Sequence, residues 1–555
     1  MKKIILSLAI IGLLGCSESF LDTENLTKKD NSNFPLTPLD ASQSLTGIYS
    51  AMAAIDKANC LFMAAEVMSD DRFGGGGTDD RFIQAVSSFK KVSEDMFSGA
   101  WEGSYKGIYR CNMLLETLDQ VEWDSEVQRL KIECETYFMR AYFYFDLSRM
   151  FGDVPLILST ERQNIPRTPA EQVYAQIAED LKFAIDHFES IRFQNIPKSE
   201  LGHVNKWAAE GLMARVFLFY TGFYNKESIA LPNGGAISKN DVTGWIDDCV
   251  ANSGHDLLPD FRNLWPYSYV NEDYKYAADN GLQWIGESGD NYEVVFAQKF
   301  SALADWDNWN SGYSNALNVF YGLRVQSDYR NTIPFGEGWG FGTVNPNFFD
   351  AWPNNDLRKK ASILDVEDPA EGFDDFTWAG DRQVHETGLW QKKYMPIYVL
   401  DNNGNPVSYN VVMYNLPNEY MLNNTQDLIL IRFSDILLMG AELGSSKAQE
   451  YLDRVRTRVN LPSVPATLDN IKRERHFELA FEGLRYHDLL RWHDENLITQ
   501  NQTEVPVLNN NVPQTLSIIF RPETKGFLQI PQRQISLSNG VLTQTPGWEG
   551  SGNVY

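Results

Sequence analysis

Residues 473–492 read RERHFELAFEGLRYHDLLRW, a stretch in which charged side chains alternate with large apolar ones at helical spacing. The helical pattern runs from Asp469 to Trp492, and Gly483 interrupts it because glycine weakens a helix interior. Glu474, Glu478 and Glu482 lie four residues apart, so they share one face of a helix. The stretch therefore predicts a charged amphipathic helical region that breaks at the glycine.

Carboxylates on one helical face are a tool of glycoside hydrolysis, which uses a pair of them. The same stretch also carries arginines, and an arginine beside a carboxylate forms a charge-assisted pair that lowers its pKa. A general acid needs the opposite shift. We therefore predict no catalytic residue here and interpret the charged residues as a structural ion-pair network of Glu474, Arg475, Glu478, Glu482, Arg485, Asp488 and Arg491.

Helical periodicity also dominates the amino-terminal half of the chain. Between residues 130 and 150, apolar residues recur every three or four positions and form one buried face, namely Cys134, Phe138, Ala141, Tyr142 and Phe145. Residues 205–220 mix small side chains with large ones, which lets neighbouring helices approach closely. Paired helices joined by short turns indicate stacked hairpins of tetratricopeptide type, although the strict consensus of that repeat is not matched.

The composition changes between about residues 225 and 426. This region is rich in Gly, Asn, Asp, Pro and aromatic residues and has few long stretches with helical periodicity. Short strands are predicted at Val294–Phe300 and Val411–Tyr414. Helical patterning returns at residues 427–500. The fold class is thus mostly α, with tetratricopeptide-like helix hairpins packed against an irregular, loop-rich region that carries a few short strands.

The amino terminus has the order of a lipoprotein signal. Lys2 and Lys3 precede an apolar run at residues 4–14, and Gly15 precedes Cys16. We expect a signal peptide at 1–15, lipid attachment at Cys16 and an acidic tether at 16–39. The alternative is an ordinary secretory signal in which Cys16 is incidental. No later stretch reaches ~18 consecutive apolar residues, so the predicted membrane attachment is lipid.

The composition excludes several classes of function. A net charge of −26 disfavours nucleic acid, because no basic stripe is available for phosphates. Neither metal-binding histidine spacing, nor a GxSxG elbow, nor a phosphate loop is present. The remaining cysteines are Cys60, Cys111, Cys134 and Cys249; they form no CxxC motif, and the sequence leaves open whether any two of them form a disulfide. Cys111 and Cys134 fit core positions, and so does Trp101.

The segment DDRFGGGGTDD, residues 70–80, sets carboxylates around glycines. Such a cluster could hold a structural calcium ion, but the EF-hand order with its distal glutamate is absent. We expect a flexible surface turn instead and predict no cofactor. If the loop has a function, we expect it to line a binding face, with Arg72 and Phe73 as candidate ligand-binding residues.

Residues 305–313, DWDNWNSGY, interleave flat rings with short hydrogen-bonding side chains. Sugars bind to this combination, because a pyranose face packs on an aromatic plane while Asp and Asn hold its hydroxyls. The alternative is that these rings anchor a long loop to the body. The candidate ligand-binding residues here are Asp305, Trp306, Asn308, Trp309, Asn310 and Tyr313, and weaker candidates are Tyr321, Tyr329 and Trp339.

The stretch at 473–492 resembles the signature of the SusD/RagB family. Other blocks follow in that family's order: IRFSDILL at 431–438, VRTR at 455–458, FLQIP at 527–531 and TPGW at 545–548. Two upstream blocks also resemble it, RMFGDVPL at 149–156 and GHVNKWAA at 202–209. The resemblance covers nearly the whole chain after the tether.

This resemblance implies one α-rich domain at 40–555 with about four tetratricopeptide-like helix pairs. The helical scaffold would occupy about 40–224 and 427–500, the binding region about 225–426, and a carboxy-terminal segment 501–555. It also implies a non-catalytic, lipid-anchored protein on the cell-surface side of the outer membrane, which captures oligosaccharides for a SusC-like TonB-dependent transporter. The alternatives are capture of a peptide or other small nutrient, a surface glycoside hydrolase, and a structural lid without ligand affinity.

Overall fold

The computed structural model describes residues 34–52, 58–91, 96–270, 273–286, 290–306, 313–324, 329–373 and 382–549. The predicted signal peptide, Cys16 and most of the tether lie outside these ranges. So do Asn308, Trp309 and Asn310 of the aromatic segment. The predicted domain boundaries stay a prediction.

Helices account for most of the regular structure. In chain order they are α1 (Pro38–Tyr49), α2 (Ala58–Val67), α3 (Arg81–Ser87), α4 (Ser98–Thr117), α5 (Glu126–Phe151), α6 (Ala170–His187), α7 (Lys206–Phe223), α8 (Lys239–Asn252), α9 (Lys275–Asp279), α10 (Ala316–Tyr321), α11 (Pro346–Ala351), α12 (Leu357–Ser362), α13 (Tyr409–Tyr414), α14 (Phe433–Glu442), α15 (Ala448–Arg458), α16 (Leu468–Glu478), α17 (Arg485–Arg491), α18 (Asn496–Asn501) and α19 (Gln532–Leu537).

The strands are short and pair two by two in antiparallel fashion. They are β1 (Ser228–Ala230) with β2 (Ala236–Ser238), β3 (Val294–Gln298) with β8 (Leu428–Arg432), β4 (Ile363–Asp365) with β5 (Leu389–Gln391), β6 (Tyr398–Leu400) with β7 (Pro406–Ser408), and β9 (Val505–Asn509) with β10 (Val512–Leu516). The pair of β3 and β8 joins the interior of the loop-rich region to the strand that directly precedes α14.

The long helices form a continuous stack. Helices α4 to α8 pack each on the next, α8 packs on α14, and α14 packs on α15 and α16. The chain thus leaves the stack after α8 and returns at α14, and the loop-rich region is inserted between them. This architecture confirms the predicted mostly helical fold class.

Small residues let the stacked helices approach, as predicted. A Cβ at Gly211 of α7 would lie 2.7 Å from Cδ1 of Ile436 in α14, and a Cβ at Gly107 of α4 would lie 2.4 Å from the ring of Phe143 in α5. Real Cβ atoms do not approach this closely, so both contacts require glycine. The predicted apolar face of α5 is buried, and Trp101 is 4% exposed.

Two local predictions have different outcomes. The strand predicted at Val294–Phe300 is confirmed as β3, whereas the strand predicted at Val411–Tyr414 is wrong, because these residues belong to α13. The side chain of Ser408 accepts a hydrogen bond from the backbone N–H of Asn410 and caps that helix. The N-cap serine therefore starts a helix here, although the apolar run that follows it is typical of a strand.

The cysteines behave as core residues where they are described. Cys111, Cys134 and Cys249 are buried free thiols. Burial raises the pKa of the Cys134 thiol to about 12, which keeps it protonated and unreactive. Within the ranges given above, no helix combines the length and apolar character needed to cross a bilayer.

Candidate functional site

The three glutamates of the quoted stretch are buried and paired. Glu478, which is fully buried, contacts Arg358 at 2.8 Å, Arg432 at 2.5 Å, and Arg458. Burial alone would raise the pKa of Glu478, but the guanidinium groups of Arg458, Arg432 and Arg358 outweigh it and hold that pKa well below its usual range. A carboxylate in this state cannot serve as a general acid near neutral pH.

The partners of these glutamates come from distant segments rather than from the stretch itself. Glu474 pairs with Arg358 at 2.6 Å and Arg456 at 2.5 Å. Glu482 pairs with Arg432 and with Lys393, each at 2.7 Å. The expectation of Glu–Arg pairs within the stretch is thus wrong for the glutamates. Glu474 and Glu478 on α16, and Glu482 beyond its end, face β8, α12, α15 and the segment after β5.

The arginines of the stretch are also held by carboxylates. Asp488 accepts from Arg475 at 3.0 Å and from Arg491 at 2.8 Å, which are pairs inside the stretch. Arg485 instead donates two hydrogen bonds to Asp70, at 2.7 and 2.8 Å. Every member of the predicted network is therefore ion-paired, and the network ties α16 and α17 to the body.

Residues 70–77 of the glycine-rich loop are buried and do not form the flexible surface turn that the sequence predicts, whereas Asp79 is exposed. Asp70 and Asp71 are each 1% exposed and Arg72 is 0% exposed. Arg72 pairs with Glu66 at 2.8 Å, donates to the carbonyl of Gly342 at 2.8 Å, and lies 4.0 Å from the ring centre of Tyr321. The charge of Arg72 is satisfied inside the protein, which explains how a loop of this composition becomes core.

Arg72 and Phe73 consequently do not present a surface to a ligand, since both are fully buried. The two carboxylates that could have held calcium are also engaged. Arg485 occupies the Asp70 carboxylate, and His476 lies 2.6 Å from Asp71. A guanidinium on a carboxylate opposes a second cation there, so the geometry does not favour a calcium site.

Four rings meet where this loop touches the loop-rich region, and we call them the aromatic cluster: Phe82, Phe320, Trp339 and Phe341. Ring centres are separated by 5.8 Å for Phe82 and Phe341, 5.6 Å for Phe320 and Phe341, and 5.3 Å for Phe320 and Trp339. Phe341 is buried beneath the others, while Phe82 is 37% exposed and Trp339 is half-buried. The cluster thus presents flat apolar surface to solvent on a rigid base.

Backbone hydrogen bonds hold the cluster in place. The N–H of Trp339 donates to the carbonyl of Val319 at 2.7 Å, and the N–H of Phe341 donates to Phe320 at 2.8 Å. A Cβ at Gly338 would lie 2.3 Å from the carbonyl oxygen of Val319, so this close approach requires glycine. The spacing of the rings is therefore set by main chain rather than by side-chain packing alone.

Charged groups line the edge of the aromatic cluster. Asp80 and Arg324 form an ion pair at 3.2 Å, and both are about one-fifth exposed. Arg324 also donates to the carbonyl of Trp339 at 3.0 Å, and Asp80 accepts from the N–H of Gly77 at 2.7 Å. Fixed donors and acceptors beside an aromatic plane are what a pyranose ring with its hydroxyls requires.

The described ends of the aromatic segment predicted from the sequence are at least partly exposed. Trp306 is 54% and Tyr313 is 39% exposed, and Asp305 is partly exposed. The hydroxyl of Ser314 donates to the carbonyl of Met421, so Tyr313 lies beside the segment 419–421. Burial and the charge of the nearby Glu419 raise the pKa of Glu337, which is two residues from Trp339.

These contacts lead from the aromatic cluster through 337 and 419–421 to Tyr313. We call this surface, together with the cluster and Tyr313, the aromatic face. Of the weaker candidates, Trp339 belongs to the cluster, and Tyr329 packs against Tyr398 with ring centres 5.8 Å apart. Tyr321 is 1% exposed and is therefore not available to a ligand. Sequence reasoning missed Phe82, Phe320 and Phe341, which lie in three separate segments, and no local pattern joins those segments.

Comparison with known proteins gives a consistent family match. A model of the SusD family matches residues 262–548, and a model described as starch-binding associating with outer membrane matches residues 19–218. A SusD-like protein of Bacteroides ovatus is 24% identical over 530 residues, covering 89% of this chain and 83% of the relative. SusD-like protein P2 of Formosa agariphila is 24% identical over 522 residues, covering 88% and 90%.

Solved structures share the fold. A laminarin-binding SusD-like protein superposes with a TM-score of 0.72 at 26% identity, covering 92% of this chain and 100% of that one. Surface glycan-binding protein A from Bacteroides thetaiotaomicron, solved in complex with laminarihexaose, has a TM-score of 0.70 at 22% identity, with coverages of 92% and 99%.

Proposed function

Because the chain belongs to the SusD family, we propose that it captures a glycan at the cell surface without catalysis and passes it to a SusC-like TonB-dependent transporter. The description of the second matching model associates such proteins with the outer membrane. Lipid attachment at Cys16 would hold the chain there, with residues 16–39 as a tether. The relatives and structures named above are described as SusD-like or as binding proteins, which accords with a capture role.

The observation that carries the proposal is the aromatic face. Phe82 and Trp339 offer ring surface on a fixed base, and Asp80 with Arg324 supplies polar groups at its edge. Tyr313 at the far end of this face and Trp306 in the same predicted segment add exposed ring surface for a sugar to pack on. Binding by stacking needs no reacting group, which agrees with the paired state of the buried glutamates.

The test is retardation of the soluble chain, lacking residues 1–16, in native gels that contain individual polysaccharides. One variant combines Phe82→Ala with Trp339→Ala, and a second combines Trp306→Ala with Trp309→Ala. Tyr109→Ala is the matched control, because Tyr109 is 48% exposed but lies on the helical scaffold. We expect retardation by at least one glycan, reduced in both double variants and unchanged in the control.

The outcomes separate the rival functions. If both double variants are still retarded like the wild type, the binding site lies elsewhere on the molecule. Absence of retardation by every glycan, with binding of peptides instead, would favour peptide or small-nutrient capture on the same scaffold. Release of shorter sugars from a retarding glycan would establish a hydrolase and overturn the proposal.

A further inference from the structure

Two carboxylates lie near the middle of the aromatic face. Glu337 is two residues from Trp339 of the aromatic cluster, and Glu419 belongs to the segment 419–421 that leads to Tyr313. Burial and the charge of Glu419 together raise the pKa of Glu337, so the two carboxylates are close to each other. Both residues are partly exposed, and a ligand that lies on the face can therefore reach them.

Aromatic rings lie on either side of Glu337 along the chain. A Cβ at Gly336 would lie 2.2 Å from the ring of Tyr398, so that ring packs directly on the main chain before Glu337. Burial and the charge of Glu337 raise the pKa of the Tyr398 hydroxyl, which places the carboxylate close to this ring as well. Trp339 follows on the other side. A sugar that stacks on this part of the face therefore has its hydroxyls beside Glu337.

No cation compensates the two carboxylates within the described part of the chain. Glu337 makes neither a side-chain hydrogen bond nor an ion pair there, and Glu419 accepts a hydrogen bond from a backbone N–H, that of Met421 at 3.3 Å, but forms no ion pair. Neither Arg324 nor the exposed Arg330 lowers the pKa of Glu337. The middle of the face thus carries uncompensated negative charge.

Charges elsewhere around the face are more evenly balanced. Arg324 is engaged by Asp80 at 3.2 Å, and Lys299 is paired with Asp427. Among the described residues that border the face, the anionic ones are Asp79, Asp80, Asp305 and Asp427, and the cationic ones, besides Arg330, are Arg81, Lys299, Arg324 and Arg382. The excess of negative charge is therefore local to Glu337 and Glu419.

A carboxylate pair of this kind distinguishes ligands by their charge. Each carboxylate can accept hydrogen bonds from sugar hydroxyls, and such charge-assisted bonds are roughly twice as strong as neutral ones. A uronate or sulfate group bound at the same place would instead lie beside two like charges in a partly desolvated site. Like-charge contacts are a common means by which a binding surface rejects the wrong ligand.

We infer that the aromatic face selects uncharged glycans, with Glu337 and Glu419 accepting hydrogen bonds from sugar hydroxyls and repelling uronate or sulfate groups. This selectivity rests on the glycan capture proposed above and names the class of glycan that is captured. The overall negative charge of the chain is a weaker cause, because charges separated by more than about 8 Å are largely screened at physiological ionic strength.

The test compares glycan backbones that exist in an uncharged and an anionic form, namely dextran and dextran sulfate, laminarin and its sulfate, and hydroxyethylcellulose and carboxymethylcellulose. Dissociation constants are measured by microscale thermophoresis for the chain lacking residues 1–16, at physiological ionic strength. We expect the wild type to bind at least one uncharged form, and to bind the anionic form of the same backbone at least about tenfold more weakly.

The variant Glu337→Gln, Glu419→Gln removes both charges with little change of shape. The ratio of the two affinities should fall by about tenfold, and binding of the uncharged form should also weaken, because an amide oxygen is a weaker acceptor. Glu337→Gln alone is the second variant and should change the ratio in the same direction. The matched control is Glu126→Gln, Glu450→Gln, which removes the same charge from exposed positions on the helical scaffold and should leave the ratio unchanged.

The possible results separate this selectivity from the function on which it rests. Equal or stronger binding of the anionic forms by the wild type, or a ratio that changes equally in both double variants, would overturn the selectivity and leave glycan capture intact. Preferential binding of chitosan, a cationic glycan, that the face variant alone loses would assign the carboxylates to an ammonium ligand and would also overturn it. Absence of binding to every glycan would overturn the proposed function and the selectivity together.

Discussion

Glu478→Gln is the substitution that most directly tests the buried ion-pair network. Among the described residues, Glu478 belongs to a connected network of five carboxylates and five cations, which consists of Glu293, Asp356, Glu474, Glu478, Glu482, Arg358, Lys393, Arg432, Arg456 and Arg458. Glutamine has nearly the same shape as glutamate. The change therefore leaves one uncompensated positive charge in the core without creating a cavity.

Breaking a buried ion pair by removing one partner costs about 3–5 kcal/mol. The three arginines around Glu478 each keep another carboxylate, so we expect about 3 kcal/mol, the lower end of that range. The entropy of unfolding is about 2.1 cal/mol/K per residue, which gives roughly 1.2 kcal/mol/K for a chain of this length. The melting temperature should therefore fall by about 3 °C.

The assay is thermal unfolding followed by circular dichroism near neutral pH, with Glu450→Gln as the control, because Glu450 is exposed on α15. The lowered pKa of Glu478 sets the pH dependence. Its contribution to stability is present above the ordinary glutamate pKa of about 4.5 and is lost as the pH falls through the folded-state value. The difference between wild type and variant should thus shrink in acid. Equal melting temperatures for Glu478→Gln and wild type at neutral pH would refute the reasoning.

Three other expectations are open to direct measurement. Burial opposes ionisation of Asp435, but two arginines bring its pKa to about 2. The contribution of the Asp435 carboxylate to protein stability is therefore lost as the pH falls from about 4 to about 2. The melting temperatures of wild type and Asp435→Asn should converge across that range. Burial raises the pKa of Glu386 to about 7. The contribution of the protonated Glu386 side chain to stability is therefore fully present in acid and is lost as the pH rises through that value. Glu386→Gln should consequently melt higher relative to wild type at about pH 8 than at about pH 5, and a constant difference would contradict this. Gly338→Ala places a methyl group against the Val319 carbonyl and should abolish glycan retardation, whereas Gly244→Ala, which has open space around it, should not.

The sequence by itself determined the fold class and the elements that have a clear apolar periodicity. Apolar residues at three- and four-residue spacing marked the buried face of α5, which the structure confirms. The break at Gly483 is also confirmed, since α16 ends at Glu478, α17 begins at Arg485, and Gly483 has a φ of 73°. Such features depend on neighbouring residues, and one sequence segment contains the information for each of them.

The candidate site was only partly predictable. Trp306 and Tyr313 were predicted because rings and polar residues are adjacent in the chain; both are exposed, and their contact with a ligand stays a prediction. Phe82 and Phe341 are 259 positions apart in the sequence, and their contact arises only when the glycine-rich loop packs against the loop-rich region. No spacing rule links residues that far apart.

Tertiary structure also decided which charges pair. The sequence identified the charged residues of the 473–492 stretch as an ion-pair network, but it could not supply their partners. Arg485 binds Asp70 across 415 positions, and Glu478 binds Arg358 across 120. A buried charge must find an opposite charge wherever packing brings one, so its partner is a property of the folded core and not of the local sequence.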